Sequence, residues 1–178
     1  AFFTDLNDTD RIKTIEERLK NGEKVIFSDL KALLHELGKD AGFDFEIRKN
    51  DPTIHEEKDG QLSMFSEQTQ SHENKVAKEL YDLIMQTEKR AWNESLSDGM
   101  SYGQALHKYF DDAKIESYII DPLNEFKPSS AADVAKAHGQ FAKALKEDGQ
   151  EKLYTELELP LIFVLYDMEK TGIYMDAE

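Results

Sequence analysis

The chain has 178 residues, 39% of them hydrophobic, which supports one ordinary core and predicts a folded protein. A formal net charge of −15 excludes tight DNA binding by this chain alone, because such a surface repels phosphates over a Debye length of about 8–10 Å. The absence of cysteine excludes disulfides and thiolate metal sites, and we expect a cytoplasmic protein. The longest apolar run, Leu159 to Tyr166, is too short to span a bilayer, so we expect no membrane contact.

The N-terminal part of the chain alternates short strands with capped helices. Apolar patterns predict strands at 1–5, 24–27 and 43–47, the last with strict alternation of polar and apolar residues. Between them, apolar stripes predict two helices, which we expect to end at Gly22 and Gly38. This order predicts an α/β fold with a small sheet flanked by helices.

A polar stretch follows, from about residue 48 to residue 73. It is rich in Asp, Glu, Lys, Ser and Gln and has almost no apolar periodicity, so we expect a solvated, mobile loop. One apolar island interrupts it, with the sequence Gln61-Leu62-Ser63-Met64-Phe65.

The C-terminal half is predicted to be helical. Apolar periodicity indicates a helix over 76–92, and Ser101 is placed to cap a short helix after it. Another helix is expected over 111–120. A capping box at 130–133 opens a helix that we expect Gly149 to close.

The last segment predicts a further apolar helix. Apolar residues recur there at three- and four-residue steps, and we expect the face that they share to be buried. These residues are Leu153, Leu157, Leu161, Val164, Leu165 and Met168. Pro160 is expected to kink or restart the helix, and Gly172 to end it in a left-handed cap.

Three segments of the chain resemble bacterial DNA polymerase I (family A). The motif Glu-Leu-Pro-Leu at 158–161, followed by Met-Glu-x-x-Gly-Ile-x-x-Asp at 168–176, resembles the passage from the 3'-5' exonuclease domain into the polymerase domain. Phe-Asp-Asp-Ala-Lys-Ile-Glu-Ser-Tyr-Ile-Ile-Asp-Pro at 110–122 is similar to a helix of the exonuclease domain, and residues 25–34 are similar to one of its strand–helix units.

The resemblance implies a ribonuclease H-like 3'-5' exonuclease-type fold that is incomplete at its N-terminus and helical in its C-terminal half. Residues 1–148 would form this exonuclease-like domain, and residues 149–178 would be a junction helix that enters the polymerase domain. We therefore expect the chain to be a fragment of a longer protein.

The resemblance also implies a two-metal site that this chain does not carry in full. Active members hold two divalent cations with about four carboxylates. One expected carboxylate position holds Leu33, and the tyrosine expected four residues before Asp133 is Ser129. The opening Asp-x-Glu has no counterpart, since Asp5 lacks a Glu two residues later. Asp133 is thus a weak remnant, and we expect neither a catalytic residue nor a metal site in this chain.

The pentapeptide Gln61-Leu62-Ser63-Met64-Phe65 resembles the sliding-clamp-binding motif Gln-Leu-(Ser/Asp)-Leu-Phe. An extended peptide of this kind can insert its apolar side chains into a groove while the glutamine forms hydrogen bonds at the rim. The alternative is that the apolar side chains pin the loop onto this domain's own core. Within a polymerase-like chain, we favour clamp binding.

Other polar and aromatic residues are expected to be structural. The five histidines lie on different elements without metal-ligand spacing, so a zinc site is not expected. Asp111 and Asp112 are expected to cap a helix. Trp92 and the tyrosines after it are expected in the core or at its edge rather than as platforms for stacking bases.

Together these patterns predict a scaffold that is inactive as a fragment alone. The resemblance implies that the full protein carries out DNA-directed DNA synthesis in replication and repair, with Mg²⁺ at a site outside this chain and with DNA bound only by the full enzyme. The expected partners are the polymerase domain of the same protein and a sliding clamp. Two alternatives stay open: an active 3'-5' exonuclease domain with divergent metal ligands, and an acidic interaction domain unrelated to polymerases.

Overall fold

The computed structural model describes residues 9–40, 67–123 and 125–172. These residues form an α/β fold that is mostly helical and contains a two-stranded parallel sheet. The elements are α1 Thr9–Lys20, β1 Val25–Phe27, α2 Leu30–Asp40, α3 Glu67–Asp98, α4 Tyr102–His107, β2 Phe110–Asp112, α5 Ala113–Ile120, α6 Ala131–Glu147, α7 Glu151–Leu153, a π-helical segment Tyr154–Glu158, and α8 Leu159–Thr171. No helix among these residues is long and apolar enough to cross a membrane.

The sheet joins two strands that are far apart in the sequence. β1 and β2 run parallel, with Val25 opposite Phe110 and Phe27 opposite Asp112. The rings of Phe27 and Phe110 pack with their centroids 5.9 Å apart. β1 confirms the strand predicted at 24–27, whereas the strands predicted at 1–5 and 43–47 lie outside the described residues.

Two helices flank β1 in sequence, as predicted. Ile15 and Leu19 of α1 are buried, and Gly22 follows the helix with a φ of 72°. In α2, Leu34 is buried, but the helix continues through Gly38 to Asp40, so the end predicted at Gly38 is wrong. Gly38 is buried in the helix, where packing offsets a cost of about 1 kcal/mol for glycine.

The helix α3 has 32 residues and confirms the helix predicted over 76–92. It starts at Glu67, so residues 67–73 are helical and do not belong to the predicted loop. Glutamate and glutamine favour helix, and they extend a helix whose buried face contains Leu80, Ile84 and Ala91. The remainder of the predicted loop lies outside the described residues.

Capping side chains set the starts of α4 and α6, as predicted. Ser101 accepts a hydrogen bond from the amide of Gln104, whose side chain accepts one from the amide of Ser101. Ser130 accepts a hydrogen bond from the amide of Asp133 at 3.2 Å. The side chain of Asp133 bonds to Ser129 and not to the amide of Ser130, so only half of the predicted capping box forms. Gly149 follows α6 with a φ of 68°, as expected of a helix terminator.

The C-terminal helix contains a π-helical turn. The amide of Leu159 donates to the carbonyl of Tyr154, a step of five residues. Pro160 lies in the first turn of α8, which confirms that the helix restarts there. Gly103 of α4 lies so close to this turn that a Cβ atom would be 1.9 Å from the carbonyl oxygen of Thr155. Only glycine fits at position 103 without a shift of the backbone.

The apolar face predicted for this helix points outward. The exposed fractions are 39% for Leu153, 62% for Leu157, 39% for Leu161, 49% for Val164 and 63% for Met168. Leu165, the sixth residue predicted for this face, is half-buried, so the prediction of a buried face is wrong for the other five. The other face is also apolar, and its members Leu159, Ile162, Phe163 and Tyr166 fill the core. Gly172 does end the helix as predicted, but its φ of 70° and ψ of −174° are not those of the predicted left-handed cap.

Candidate functional site

Two adjacent acidic residues lie at the centre of the described structure. Asp111 and Asp112 end β2 and are 0% and 1% exposed. The sequence predicts that both cap a helix over 111–120. Asp112 does cap α5, but the helix begins at Ala113, and Asp111 belongs to the strand because residues 110–112 pair with β1.

Asp111 is surrounded by polar and cationic partners. Lys24 Nζ lies 2.7 Å from its Oδ2, and His107 Nε2 lies 3.0 Å from its Oδ1. The hydroxyl of Tyr154 donates a hydrogen bond to Oδ1 at 3.0 Å. Burial by itself raises the pKa of Asp111, but His107 and Lys24 outweigh burial and hold that pKa below its ordinary value. Asp111 is therefore a buried carboxylate that the fold keeps charged.

Asp112 joins the first turns of two helices. Its Oδ2 accepts a hydrogen bond from the amide of Leu30 in α2 at 2.6 Å, and its Oδ1 accepts one from the amide of Ile115 in α5 at 3.0 Å. Its own amide donates to the hydroxyl of Tyr154 at 2.9 Å. Burial raises the pKa of Asp112 to about 7, while the backbone amides oppose that rise.

A third buried carboxylate pairs with a histidine of α6. Glu116 is 1% exposed, and its two carboxylate oxygens lie 3.0 and 2.9 Å from His138 Nδ1. His138 Nε2 lies 3.7 Å from Asp111 Oδ2. Burial raises the pKa of Glu116, and the hydrogen bond to Glu116 raises the pKa of His138.

Asp111, Asp112 and Glu116 form a cluster of buried carboxylates. The partners of their oxygens determine which chemistry this cluster can support. Backbone amides, Tyr154 and the two histidines contact its carboxylate oxygens. Asp111 Oδ2 accepts no hydrogen bond from the described residues, but the ammonium group of Lys24 lies 2.7 Å from it. Among the residues that the structure describes, no group of three or more acidic or histidine side chains is arranged to hold a metal ion. The cluster therefore has the chemistry of an internal ion network that holds elements together.

The residues at the positions where the resemblance implies metal ligands have other contacts in the described structure. Leu33 is part of the core packing and offers no donor atom. Asp133 is exposed, and its Oδ2 accepts hydrogen bonds from the hydroxyl of Ser129 at 2.7 Å and from the amide of Ser129 at 3.2 Å. Asp5 lies outside the described residues. Asp133 thus acts as a local capping residue at the start of α6.

The pentapeptide Gln61-Leu62-Ser63-Met64-Phe65 also lies outside the described residues, so its clamp-binding role stays a prediction. Sequence reasoning did not predict that Lys24, His107 and His138 lie around Asp111. Their spacing along the chain gives no indication, since the sheet and helix packing bring them together. The available signal was the pair of acidic residues directly after Tyr109-Phe110, in an otherwise apolar segment.

A groove of about 560 Å³ opens between α3 and α8. Its lining is mainly apolar and includes Met85, Trp92 and Met168, together with the acidic Glu88 and Asp167. Trp92 is 49% exposed, so a large aromatic side chain is accessible there. The groove borders the outward apolar face of α8, because it shares Val164 and Met168 with that face.

Comparison with known proteins gives one short similarity. Over 38 residues, or 21% of this chain, the sequence is 50% identical to DNA polymerase I of Borreliella burgdorferi (strain B31). The aligned stretch spans 4% of that polymerase's length. No protein-family profile matches the chain, and no solved structure matches it. This similarity supports a weak relationship to a DNA polymerase I.

Proposed function

We propose that this chain is an exonuclease-like part of a DNA polymerase I that has lost its metal site and serves as a scaffold for the polymerase domain. The short identity to a DNA polymerase I supports the polymerase relationship. In this proposal the full protein carries out DNA-directed DNA synthesis in replication and repair. Its Mg²⁺ and DNA are bound outside this chain, and the net charge of −15 disfavours DNA binding here.

The proposed loss of nuclease activity rests on one observation, namely that the central carboxylates Asp111 and Asp112 already have partners within the chain. A two-metal nuclease needs several carboxylates that point into a solvent-accessible site. Here Asp111 and Asp112 are buried and bind donors of the same chain. Asp133 is exposed but has no carboxylate partner at the position of Leu33, so the remaining donors support a structural role.

The outward face of α8 supports the scaffold role. Contiguous exposed apolar patches on soluble proteins mark interaction sites. The groove beside this face is lined in part by Gly172, the residue that ends α8. We assign the polymerase domain of the same protein as the partner that covers this face.

A nuclease assay tests the proposed loss of activity. The purified chain is incubated with a single-stranded oligonucleotide and Mg²⁺ or Mn²⁺, and we expect no degradation. Degradation that Asp133→Ala or Asp5→Ala abolishes would show an active exonuclease with divergent ligands and would overturn the proposal. Asp98→Ala is the matched control, because Asp98 is an exposed carboxylate at the end of α3.

We also propose that residues 61–65 tether the protein to a sliding clamp. The pentapeptide stands in a polar stretch of the sequence and carries the glutamine and apolar side chains that an extended peptide presents to a groove, which supports an external partner.

A further inference from the structure

We propose that His138 and Glu116 form a protonation-dependent clasp that fastens α6 to α5 and releases it when His138 loses its charge. The clasp would make α6 a pH-responsive element of an otherwise fixed fold. This inference goes beyond the proposed scaffold role and does not depend on it.

The helix α6 has few other buried attachments. It has 17 residues, and only Val134 and Leu145 are buried among the side chains described in it. One further contact is aromatic, between the rings of Phe126 and Phe141 at 5.5 Å. Few side chains of α6 are fully buried, and the ion pair of His138 with the buried Glu116 is a charged contact between α6 and α5.

The geometry places the histidine between two buried carboxylates. Nδ1 faces both oxygens of Glu116 at 2.9 and 3.0 Å, and Nε2 faces Asp111 Oδ2 at 3.7 Å. A neutral imidazole has one N–H group, whereas the protonated ring has two and carries a positive charge. The neutral Nδ1–H tautomer can also donate to Glu116, but only the protonated ring adds a positive charge beside both acids.

Charged groups on every neighbouring element influence whether His138 is protonated. From α5, Glu116 favours the protonated ring, and from β2, Asp111 does the same. Lys24, just before β1, opposes it through its positive charge. His107 approaches the opposite oxygen of Asp111, and on α7 the side chains of Glu151 and Lys152 are exposed. With neutral His138, Glu116 would be a buried carboxylate with no cation at hydrogen-bond distance.

The direction of the pH effect follows from the pKa values. The hydrogen bond to Glu116 raises the pKa of His138, although burial lowers it, and burial raises the pKa of Glu116. Both groups bind protons more readily in the folded state. The histidine's contribution is complete below an unfolded pKa of about 6.5 and is lost as the pH rises through its folded pKa. We therefore expect α6 to loosen as the pH rises through the raised folded pKa of His138.

Amide hydrogen exchange of the whole chain tests the clasp. Protection factors, which are corrected for intrinsic exchange, are measured for α6 and for α3 between pH 6 and pH 9. We expect protection in α6 to fall several-fold over this range, while protection in α3 changes less. Equal loss in both helices, or constant protection in α6, would overturn the proposal.

Two variants and one control complete the test. Glu116→Gln keeps the size of the side chain but removes its charge, so the NMR titration of the His138 ring should shift to lower pH and the pH dependence of α6 should disappear. His138→Gln should give pH-independent protection in α6. His35→Gln is the control, because His35 pairs with the half-exposed Glu169 on α8. Unchanged pH dependence in Glu116→Gln contradicts the clasp even if His138→Gln fails to fold.

Discussion

Tyr154 and Asp111 share a buried hydrogen bond, in which the tyrosine hydroxyl donates to the carboxylate at 3.0 Å. The same hydroxyl accepts a hydrogen bond from the amide of Asp112 at 2.9 Å. Tyr154 opens the π-helical turn of the C-terminal helix. This side chain therefore links the C-terminal helix to the strand that carries both central acids.

Tyr154→Phe is expected to destabilise the fold by about 1–3 kcal/mol, the usual cost of leaving buried polar groups without partners. The ring still fits, but Asp111 Oδ1 and the amide of Asp112 each lose a hydrogen bond. Urea unfolding measures the loss. Tyr118→Phe serves as the control, since Tyr118 is 61% exposed, and an equally small effect of both variants would contradict the assigned role.

Gly103→Ala is expected to destabilise the protein through a steric clash with the π-helical turn. The added Cβ would lie 1.9 Å from the carbonyl oxygen of Thr155, so α4 or the turn must move. Gly139→Ala is the matched control in α6, where nothing lies within 4 Å. It should be neutral or stabilising by about 0.4–1 kcal/mol, because alanine restricts the unfolded chain. Thermal unfolding that ranks these two variants in the reverse order would refute the close contact.

Lys24→Met is expected to lower the free energy of unfolding at pH 7 by about 1–3 kcal/mol, because Asp111 keeps its charge and loses an ionic partner. The pKa of Asp111 is lower in the fold, so its contribution is present above about pH 3.9 and is lost as the pH falls through the folded pKa. The difference between wild type and variant should therefore shrink in acid. Urea unfolding at stepwise lower pH checks this, with Lys127→Met as the control at an exposed ion pair.

Replacing Gln61 and Phe65 together by alanine is expected to abolish binding of an isolated sliding clamp. The reason is that the pentapeptide would lose its hydrogen-bonding residue and its aromatic anchor. Surface plasmon resonance with immobilised clamp gives the readout. Gln68→Ala, just outside the pentapeptide, should bind as wild type does. Clamp binding that survives the double substitution removes the tether proposal.

Val164→Asp combined with Met168→Asp is expected to change the stability of this chain little, because both side chains are about half or more exposed. In the full-length protein the same pair should be clearly destabilising if the polymerase domain covers this face. Comparing unfolding temperatures of the chain and of the full protein gives the test. Leu123→Asp is the control at a side chain that is 95% exposed. A similar, small shift of the unfolding temperature in both proteins would show that this face is exposed to solvent in the full protein.

Local sequence signals predicted most of the described helices. Ser101, Ser130 and Gly149 are capping or terminating residues whose effects depend only on near neighbours, and each acts as predicted. Strand β2 could not be predicted, because Phe110-Asp111-Asp112 is short and acidic. Its conformation depends on β1, which lies far earlier in the sequence.

The candidate site was harder to predict for the same reason. No local pattern indicates that Glu116 meets His138 or that Lys24 meets Asp111, since these pairs form by packing. Periodicity also fails to choose between two apolar faces of one helix. Val164 and Met168 repeat as regularly as Ile162 and Tyr166, yet only the second pair is buried.

The double role of Asp112 affects the order in which the new protein can fold on the ribosome. The amide of Leu30 at the start of α2 receives its partner from a residue 82 positions later. At synthesis rates of about 5–20 residues per second, roughly 4–16 s pass before that carboxylate is made. During this interval β1 has no β2 to pair with. The nascent chain therefore offers an unpaired strand to chaperones until β2 emerges from the exit tunnel.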